Sequence, residues 1–225
     1  MNILALDTAA EVLSVALATE AGVSYTETDA GTRHSELLME SADLLCKIAG
    51  IKPKDLDLIA CMKGPGSFTG LRIGFSAAKG LAVALKKPLA AIHTLDCLAY
   101  PLSFWPGIVL PAMDAKKGCF FAALYRDGQR LTDYMDASPE NLAKEINRAR
   151  LFPEELLVLT GCGAALLFSR LEALIPPEHI RVDIAARKGR ARELLETAKN
   201  TILDNSDIYS GPVYLRKSDA ELKTG

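Results

Sequence analysis

The feature that most constrains how this chain folds is an internal repeat. The segment ALDTAAEVLSVAL, which contains Asp7, is matched by AMDAKKGCFFAAL, which contains Asp114. In both copies an aspartate ends an apolar run, and an Ala-Leu pair follows at the same spacing. Further on, Gly-Pro-Gly at residues 64–66 is matched by Gly-Cys-Gly at residues 161–163. Two matches in the same order predict a duplicated structural unit.

The hydrophobic periodicity indicates what each unit contains. In the first copy it predicts strands near residues 3–6, 12–18, 23–28, 56–62 and 89–92, and helices over residues 33–49, 68–85 and 95–100. Thr32 and Gly50 are the expected caps of the first helix. We predict an α/β protein of two βββαβα halves, residues 1–104 and 105–225. A last helix near residues 190–203 is expected to pack back on the first half.

Composition excludes several classes of protein. Lys and Arg total 26 and Asp and Glu total 28, so there is no overall positive field for a nucleic acid or an anionic membrane. No apolar stretch reaches the roughly 18 residues of a membrane span, and the N-terminus lacks the basic segment of a signal peptide. The cysteines are odd in number, scattered and without a CxxC pair, which indicates buried thiols in a reducing cytoplasm. We therefore expect a cytoplasmic protein without a membrane partner.

Residues 64–70, GPGSFTG, lie at a strand-to-helix junction. Backbone N–H groups at a helix N-terminus attract anions, so Gly64, Gly66 and Ser67 are candidate phosphate contacts. However, the segment lacks the Lys-Ser/Thr of a Walker A loop and does not fit GxGxxG. A close-packed turn in which Ser67 caps the helix explains it equally well, and both interpretations stay open.

The helix after this loop carries a ridge of small residues that recur every four positions: Gly70, Gly74, Ala78 and Ala82. Glycine inside a helix costs up to about 1 kcal/mol relative to alanine, so it indicates close approach of another backbone. The bulkier neighbouring ridge, which includes Ile73 and Leu81, is expected to face the sheet of its own half. The small ridge would then meet a second helix, from this chain or from another.

Asp7 and Asp114 end the two equivalent strands, and Thr8 follows the first of them. Two carboxylates that face each other across a presumed cleft between the halves hold a metal-bound nucleotide in two-lobed kinases and ATPases. Alternatively, each aspartate accepts backbone hydrogen bonds in an Asx-type turn. The residues alone do not separate these two interpretations.

The histidines do not predict a metal or catalytic site. His34, His93 and His179 are far apart, and none belongs to an HxxxH or HExxH pair. No GxSxG nucleophile elbow is present either.

Six segments carry a resemblance to the bacterial TsaB family, also called YeaZ: ILALDTAAEVLSVAL, RHSELL, GPGSFTGLRIGFSAAKGLAVAL, KPLAAIHTLDCLA, VLPAMDAKKG and VYLR. The resemblance spans most of the chain, is strongest over residues 1–100 and is loose over residues 130–205. It implies a duplicated ribonuclease-H-like fold of the actin-like ATPase superfamily. This implication agrees with the internal repeat.

The resemblance also implies a function. TsaB proteins act with TsaD, a larger paralogue, and with the ATPase TsaE in transferring a threonylcarbamoyl group to tRNA. The acceptor is the adenosine beside the anticodon of tRNAs that read codons starting with A. TsaD holds the catalytic metal, TsaB is a non-catalytic scaffold, and tRNA is contacted only within the complex. No cofactor is required, although weak ATP or ADP binding with Mg²⁺ is one expectation.

One comparison with the catalytic paralogue supports the scaffold role. In TsaD an HxxxH motif after the long helix supplies two metal ligands, and aligning that region places Thr94 and Leu98 at the two positions. Threonine is a poor ligand and leucine is none. The chain therefore resembles the partner and not the enzyme.

The resemblance implies that TsaD, or a second copy of the chain, binds to the helices over residues 33–49 and 68–85. The expected contacts are Leu37, Leu38, Ser41, Leu45, Leu71, Gly74, Phe75 and Ala78. Gly74→Leu is expected to weaken this binding while the monomer stays folded.

Two other functions compete with the scaffold. One is a nucleotide-binding phosphotransferase or ATPase of the actin-like superfamily that acts alone through Asp7, Thr8, Asp114 and the GPGSFTG turn. The other is a peptidase, for which the histidine pair and the nucleophile elbow are missing.

Overall fold

The computed structural model describes residues 1–185, 188–201 and 206–216, and the chain divides into two compact units. The first unit comprises Met1–Cys97 with Lys188–Pro212, and the second comprises Leu98–Arg187 with Val213–Gly225. The sequence places the boundary after residue 104, whereas the structure divides the chain after Cys97. The structure also assigns residues 188–212 to the first unit.

The strands, in chain order, are β1 Ile3–Asp7, β2 Val12–Thr19, β3 Gly22–Asp29, β4 Leu58–Gly64, β5 Leu89–His93, β6 Ile108–Asp114, β7 Phe120–Ala122, β8 Tyr125–Arg126, β9 Gln129–Arg130, β10 Met135–Ala137, β11 Leu157–Thr160 and β12 Ile180–Val182. The helices are α1 His34–Ala49, α2 Phe68–Leu85, α3 Thr94–Ala99, α4 Pro139–Ala149, α5 Ala164–Leu171, α6 Ala191–Lys199 and α7 Ser206–Tyr209. The five strands predicted for the first half are confirmed.

The two sheets share one topology. In the first unit the strand order is β3-β2-β1-β4-β5, and in the second it is β10-β7-β6-β11-β12, with the small β8–β9 pair beside β6. Strands β1, β2 and β3 pair antiparallel in the first unit, as β6, β7 and β10 do in the second. The last two strands of each sheet run parallel to its first strand, β1 or β6. The predicted duplication is therefore confirmed at the level of strand order and direction.

Helices cover both faces of the first sheet. Leu4 and Leu6 of β1 belong to one core cluster with Leu38 of α1 and Phe75 of α2. Side chains alternate along a strand, so the residues between them point to the opposite face. There α6 lies against β1 and β2 and buries Leu194, Leu195 and Ala198. The second unit has its own core cluster, built on β6, β7 and β11 with α4 and α5.

The helix ends of the first unit agree only in part with the expected caps. α1 begins at His34 with Arg33 at its cap position and no side-chain cap, so the prediction for Thr32 is wrong. Gly50 ends α1 in the left-handed conformation, at φ 68°, as predicted. Ser67 caps α2 by accepting the Gly70 N–H at 3.2 Å, which confirms its capping role.

Two expectations from composition need correction. Cys46, Cys61 and Cys97 are buried, but Cys162 is exposed, so the expectation of five buried thiols is wrong. Helix α2, at 18 residues, is long and apolar enough to cross a membrane by length and composition alone. The core helix of a folded domain passes the same test, and α2 buries one side of its surface within the first unit.

Candidate functional site

The turn between β1 and β2, residues 8–11, packs directly on α2. The Thr8 hydroxyl donates a hydrogen bond to the Gly70 carbonyl at 2.7 Å. A Cβ atom at Gly70 would clash with the Thr8 carbonyl oxygen, and one at Gly74 would clash with Thr8 Oγ1. Glycine is therefore required at both positions because a turn of the same unit packs directly against them.

The loop before α2 rests on the same turn. The Ser67 N–H donates to the Ala9 carbonyl at 2.8 Å, and a Cβ atom at Gly66 would lie 2.6 Å from that oxygen. Gly64 ends β4 in the left-handed region, at φ 112°, and is buried. These contacts support the interpretation of GPGSFTG as a close-packed turn. A phosphate contact at Gly64, Gly66 or Ser67 stays a prediction.

Asp7 is buried, and both of its carboxylate oxygens accept hydrogen bonds. Oδ1 accepts from the Ala9 N–H at 3.0 Å, and Oδ2 accepts from the Arg190 N–H at 2.8 Å and from the Ser14 hydroxyl at 3.4 Å. Burial raises the pKa of Asp7, while these bonds and the Arg190 charge oppose the rise. The carboxylate thus closes an Asx-type turn and anchors the N-terminus of α6.

Asp114 occupies the equivalent strand end of the second unit. Its Oδ1 accepts from the Lys116 N–H at 2.7 Å, and its Oδ2 pairs with Lys116 Nζ at 2.9 Å. Partial burial alone would raise the pKa of Asp114, but the side-chain and backbone hydrogen bonds from Lys116 outweigh it and lower the pKa. The Asx-type interpretation describes both aspartates.

Most of the expected partner contacts lie inside the first unit. Six of the eight are buried there, namely Leu38, Leu45, Leu71, Gly74, Phe75 and Ala78, whereas Leu37 and Ser41 are half-buried. The interpretation of the small ridge as a surface for another chain is therefore wrong. The physical reason is Thr8, whose side chain fills the space that Gly74 leaves.

This burial also overturns the expectation for Gly74→Leu. A leucine side chain at this position would have to displace Thr8 within the core of the unit. Overpacking of this kind costs typically about 1–3 kcal/mol. The variant therefore tests folding and does not separate folding from binding.

The exposed positions of α1 and α2 lie one residue away from several predicted ones. On α1 the exposed large apolar residues are Met39, Leu44 and Ile48, with Leu44 next to the predicted Leu45. Leu44 and Ile48 are one turn apart on the same side of α1, whereas Met39 lies half a turn round the helix from Ile48. On α2 the corresponding positions are Ile73, Ser76, Gly80, Val83 and Ala84, of which Ile73 is half-buried and the others exposed. We call Leu44, Ile48 and these five residues of α2 the partner surface. α1 and α2 contact each other, so both helices contribute to one region of the first unit.

The α2 part of the partner surface is uncharged and nearly flat. Its residues are small except Ile73 and Val83, and a Cβ atom at Gly80 would meet nothing within 4 Å. Gly80 therefore has no packing role inside its own unit. Close helix packing is one use that accounts for a glycine in the middle of an exposed helix face. The sequence shows only that apolar residues recur at helical spacing on this face. A single sequence does not distinguish such residues on an exposed face from residues of the core.

The positions aligned with the metal ligands of the paralogue cannot bind a metal as histidines do. Thr94 is buried at the start of α3, and its hydroxyl has no hydrogen-bond partner in the described part of the chain. Leu98 is buried on the same helix. Across residues 1–185, 188–201 and 206–216, no three His, Cys, Asp or Glu side chains are grouped to hold a metal ion.

The fold defines a class of protein. A solved protein with an actin-like ATPase fold from Bacteroides thetaiotaomicron superposes over 87% of this chain and 95% of its own, with a TM-score of 0.51 at 12% identity. Together with the repeated strand order, this places the chain among duplicated ribonuclease-H-like, actin-like folds.

Similarity in sequence gives the family. A family model described as TsaD, tRNA N6-adenosine threonylcarbamoyltransferase, matches residues 26–156. The tRNA threonylcarbamoyladenosine biosynthesis protein TsaB of Bacillus subtilis (strain 168) is 31% identical over 232 residues, which cover 99% of this chain and 97% of that protein. A crystal structure of a Pseudomonas aeruginosa protein with similarity to peptidase YEAZ has a TM-score of 0.79 at 26% identity, over 96% of this chain and 99% of its own. The chain belongs to the family that this model describes and, within it, to the TsaB (YeaZ) proteins.

Proposed function

We propose that this chain acts in tRNA threonylcarbamoyladenosine biosynthesis as a non-catalytic subunit that binds TsaD, the threonylcarbamoyltransferase, through the partner surface. The observation that carries the proposal is the set of small exposed residues Ser76, Gly80 and Ala84 on α2, with the exposed Arg72 at one end of the set, beside the exposed apolar residues of α1. The resemblance to a family model of the transferase itself supports a pairing between paralogues of similar fold.

The partner surface has the composition of a protein interface. Leu44, Ile48 and Val83 are 49%, 63% and 59% exposed, which leaves large apolar side chains in water on two adjacent helices. Contiguous apolar groups on a surface mark sites of association. Small residues at the centre of a helix face let a second helix approach closely, and the surrounding apolar groups then pack against it.

The non-catalytic role is supported by what the candidate catalytic groups already do. Asp7 binds the N-terminus of α6, Asp114 binds Lys116, and Thr8 binds the Gly70 carbonyl. An enzyme acting alone would have to release these groups from their present partners. ATP or ADP binding with Mg²⁺ stays a prediction, and calorimetry on the isolated chain tests it.

Gly80→Leu tests the α2 part of the surface. The added side chain enters open space in its own unit and replaces a glycine, which costs helices up to about 1 kcal/mol, so the fold is expected to persist. Binding to TsaD should fall sharply because the side chain separates the two helix backbones. Titration calorimetry with the matching TsaD measures this, and a folded Gly80→Leu protein that binds as tightly as wild type would contradict the proposal.

Leu44→Glu tests the α1 part, with Leu166→Glu as its control. Leu166 lies on α5 of the second unit and is 44% exposed, close to the 49% of Leu44. A charge at Leu44 has to be buried on binding, which is unfavourable, whereas one at Leu166 stays in water. Co-purification with TsaD is expected to fail for the first variant and to succeed for the second.

The remaining partners belong to the same proposal. The ATPase TsaE is a further proposed partner of the complex with TsaD. tRNA is contacted only within that complex, because the chain itself has a near-neutral charge balance of 26 basic to 28 acidic residues. A homodimer through the partner surface competes with TsaD binding, so the mass of the free chain in solution should fall when Gly80→Leu is introduced.

The proposed location is the cytoplasm, where tRNA is modified.

A further inference from the structure

The turn at residues 8–11 holds both helices of the partner surface. Thr8 binds α2 through the hydrogen bond from Oγ1 to the Gly70 carbonyl at 2.7 Å. His34, the first residue of α1, places Nε2 at 3.0 Å from the Ala10 carbonyl. A carbonyl oxygen only accepts, so Nε2 carries the hydrogen of this bond. Thr8 and Ala10, two residues of one turn, therefore fix the starts of both helices.

Thr8 fits α2 sterically as well as by hydrogen bonding. Its Oγ1 occupies the place that a Cβ atom of Gly74 would take, and its backbone oxygen occupies that of Gly70. The two glycines are four residues apart, so they form one socket along a single side of the helix. A slide or rotation of α2 by a fraction of a turn would bring backbone or side-chain atoms into Thr8.

We infer that Thr8 is a positioning residue, which fixes the rotation and height of α2 so that Gly80 and its neighbours meet the partner in register. Gly70 and Gly74 lie on the buried side of α2, while Ser76 and Gly80 lie on the exposed side. Because the helix is rigid, a contact on the buried side sets where the exposed side points. Thr8 itself is buried and touches no partner.

A double-mutant cycle tests the socket without any partner protein. Gly74→Ala alone should lower the thermal stability, because the new Cβ clashes with Thr8 Oγ1. In a Thr8→Ala background Oγ1 and Cγ2 are absent, and the nearest remaining atom is the Cβ of residue 8 at 3.4 Å, an ordinary contact distance, so the same substitution should be tolerated. An equal loss of stability from Gly74→Ala in both backgrounds would overturn the inference.

Binding tests the positioning role, which presupposes the partner surface proposed above. Thr8→Val keeps the shape of the side chain but replaces the hydroxyl by a methyl group, which needs a greater distance from the Gly70 carbonyl. Thr8→Ser keeps the donor. We expect Thr8→Val to weaken TsaD binding by roughly three- to tenfold, the range of one hydrogen bond, and Thr8→Ser to restore most of the affinity.

A spectroscopic measurement separates this inference from the proposed function. Amide NMR shifts of Ser76, Gly80 and Ala84 in the isolated chain should move in Thr8→Val and return in Thr8→Ser. If wild type fails to bind TsaD, the proposed function fails, while the amide shifts and the cycle still test the positioning of α2. Wild-type shifts and wild-type affinity in Thr8→Val would overturn the role of Thr8.

Discussion

Asp7 is a carboxylate that three hydrogen-bond donors surround in a buried site. Burial raises its pKa above the ordinary 3.8, against the opposing effect of the bonds from Ala9, Arg190 and Ser14. An aspartate with a raised pKa in the folded state contributes stability that is complete below 3.8 and is lost as the pH rises through the folded-state pKa. The contribution of Asp7 to the free energy of unfolding is therefore expected to fall toward neutral pH.

Asp7→Asn measures this effect, because asparagine does not titrate. The free energy of unfolding of wild type minus that of the variant should fall as the pH rises from 3.8 toward neutrality. Urea titrations of both proteins at several pH values give this difference, in which the contributions of other groups cancel. A difference that grows with pH would mean that the hydrogen bonds outweigh burial.

Glycines 70, 74 and 80 show which properties of single residues the sequence predicts and which it does not. The sequence predicts that glycines inside α2 mark close approach, and this holds for Gly70 and Gly74. It does not reveal what approaches, because Thr8 lies 62 positions before Gly70 and no local pattern connects them. Gly80, the exposed one, does not belong to the four-residue ridge and is missed for that reason.

Helix α6 is an element that completes a core far from it in sequence. It packs on β1 and β2 and buries Leu194, Leu195 and Ala198 on the face of the first sheet that α1 and α2 leave open. Without it, apolar strand residues such as Ile3 would face water. The first unit therefore depends on a segment that follows the first stretch of the second unit, Leu98–Arg187.

Leu195→Ala tests that dependence. Leu195 is fully buried, so its truncation should lower the free energy of unfolding by about 2–5 kcal/mol through lost transfer energy and a cavity. Leu174→Ala serves as the control, because Leu174 is 44% exposed and surface changes stay within about 0.5 kcal/mol. Urea denaturation measures both, and equal effects of the two variants would contradict the role given to α6.

At the element scale, periodicity predicts the type and bounds of a helix or strand better than it predicts which face is buried. The bounds of α2 match the predicted residues 68–85, and the five strands of the first unit lie within two residues of their predicted positions. The sequence predicts that the ridge with Ile73 and Leu81 packs on its own half, and these residues do pack against the core although they are only half-buried. The ridge of small residues is the more buried one, and periodicity does not rank the two because both are apolar. Only the contact with Thr8 decides between them, and it belongs to tertiary structure.

At the scale of the whole molecule, duplication gives the two units equivalent strand ends. The strand order of the first unit is repeated in the second, so each strand-end aspartate has an equivalent in the other unit. In this chain both aspartates close Asx-type turns. A duplicated fold thus retains its architecture while the groups at its strand ends take structural roles.

The most direct test of this account is a threonylcarbamoyl transfer assay with purified TsaD, TsaE, tRNA and an activated threonylcarbamoyl donor. We expect no modified adenosine from this chain alone, full transfer when the wild-type chain completes the mixture, and loss of that transfer with folded Gly80→Leu. Transfer by the isolated chain, or undiminished transfer with Gly80→Leu, would contradict a non-catalytic subunit that works through the partner surface.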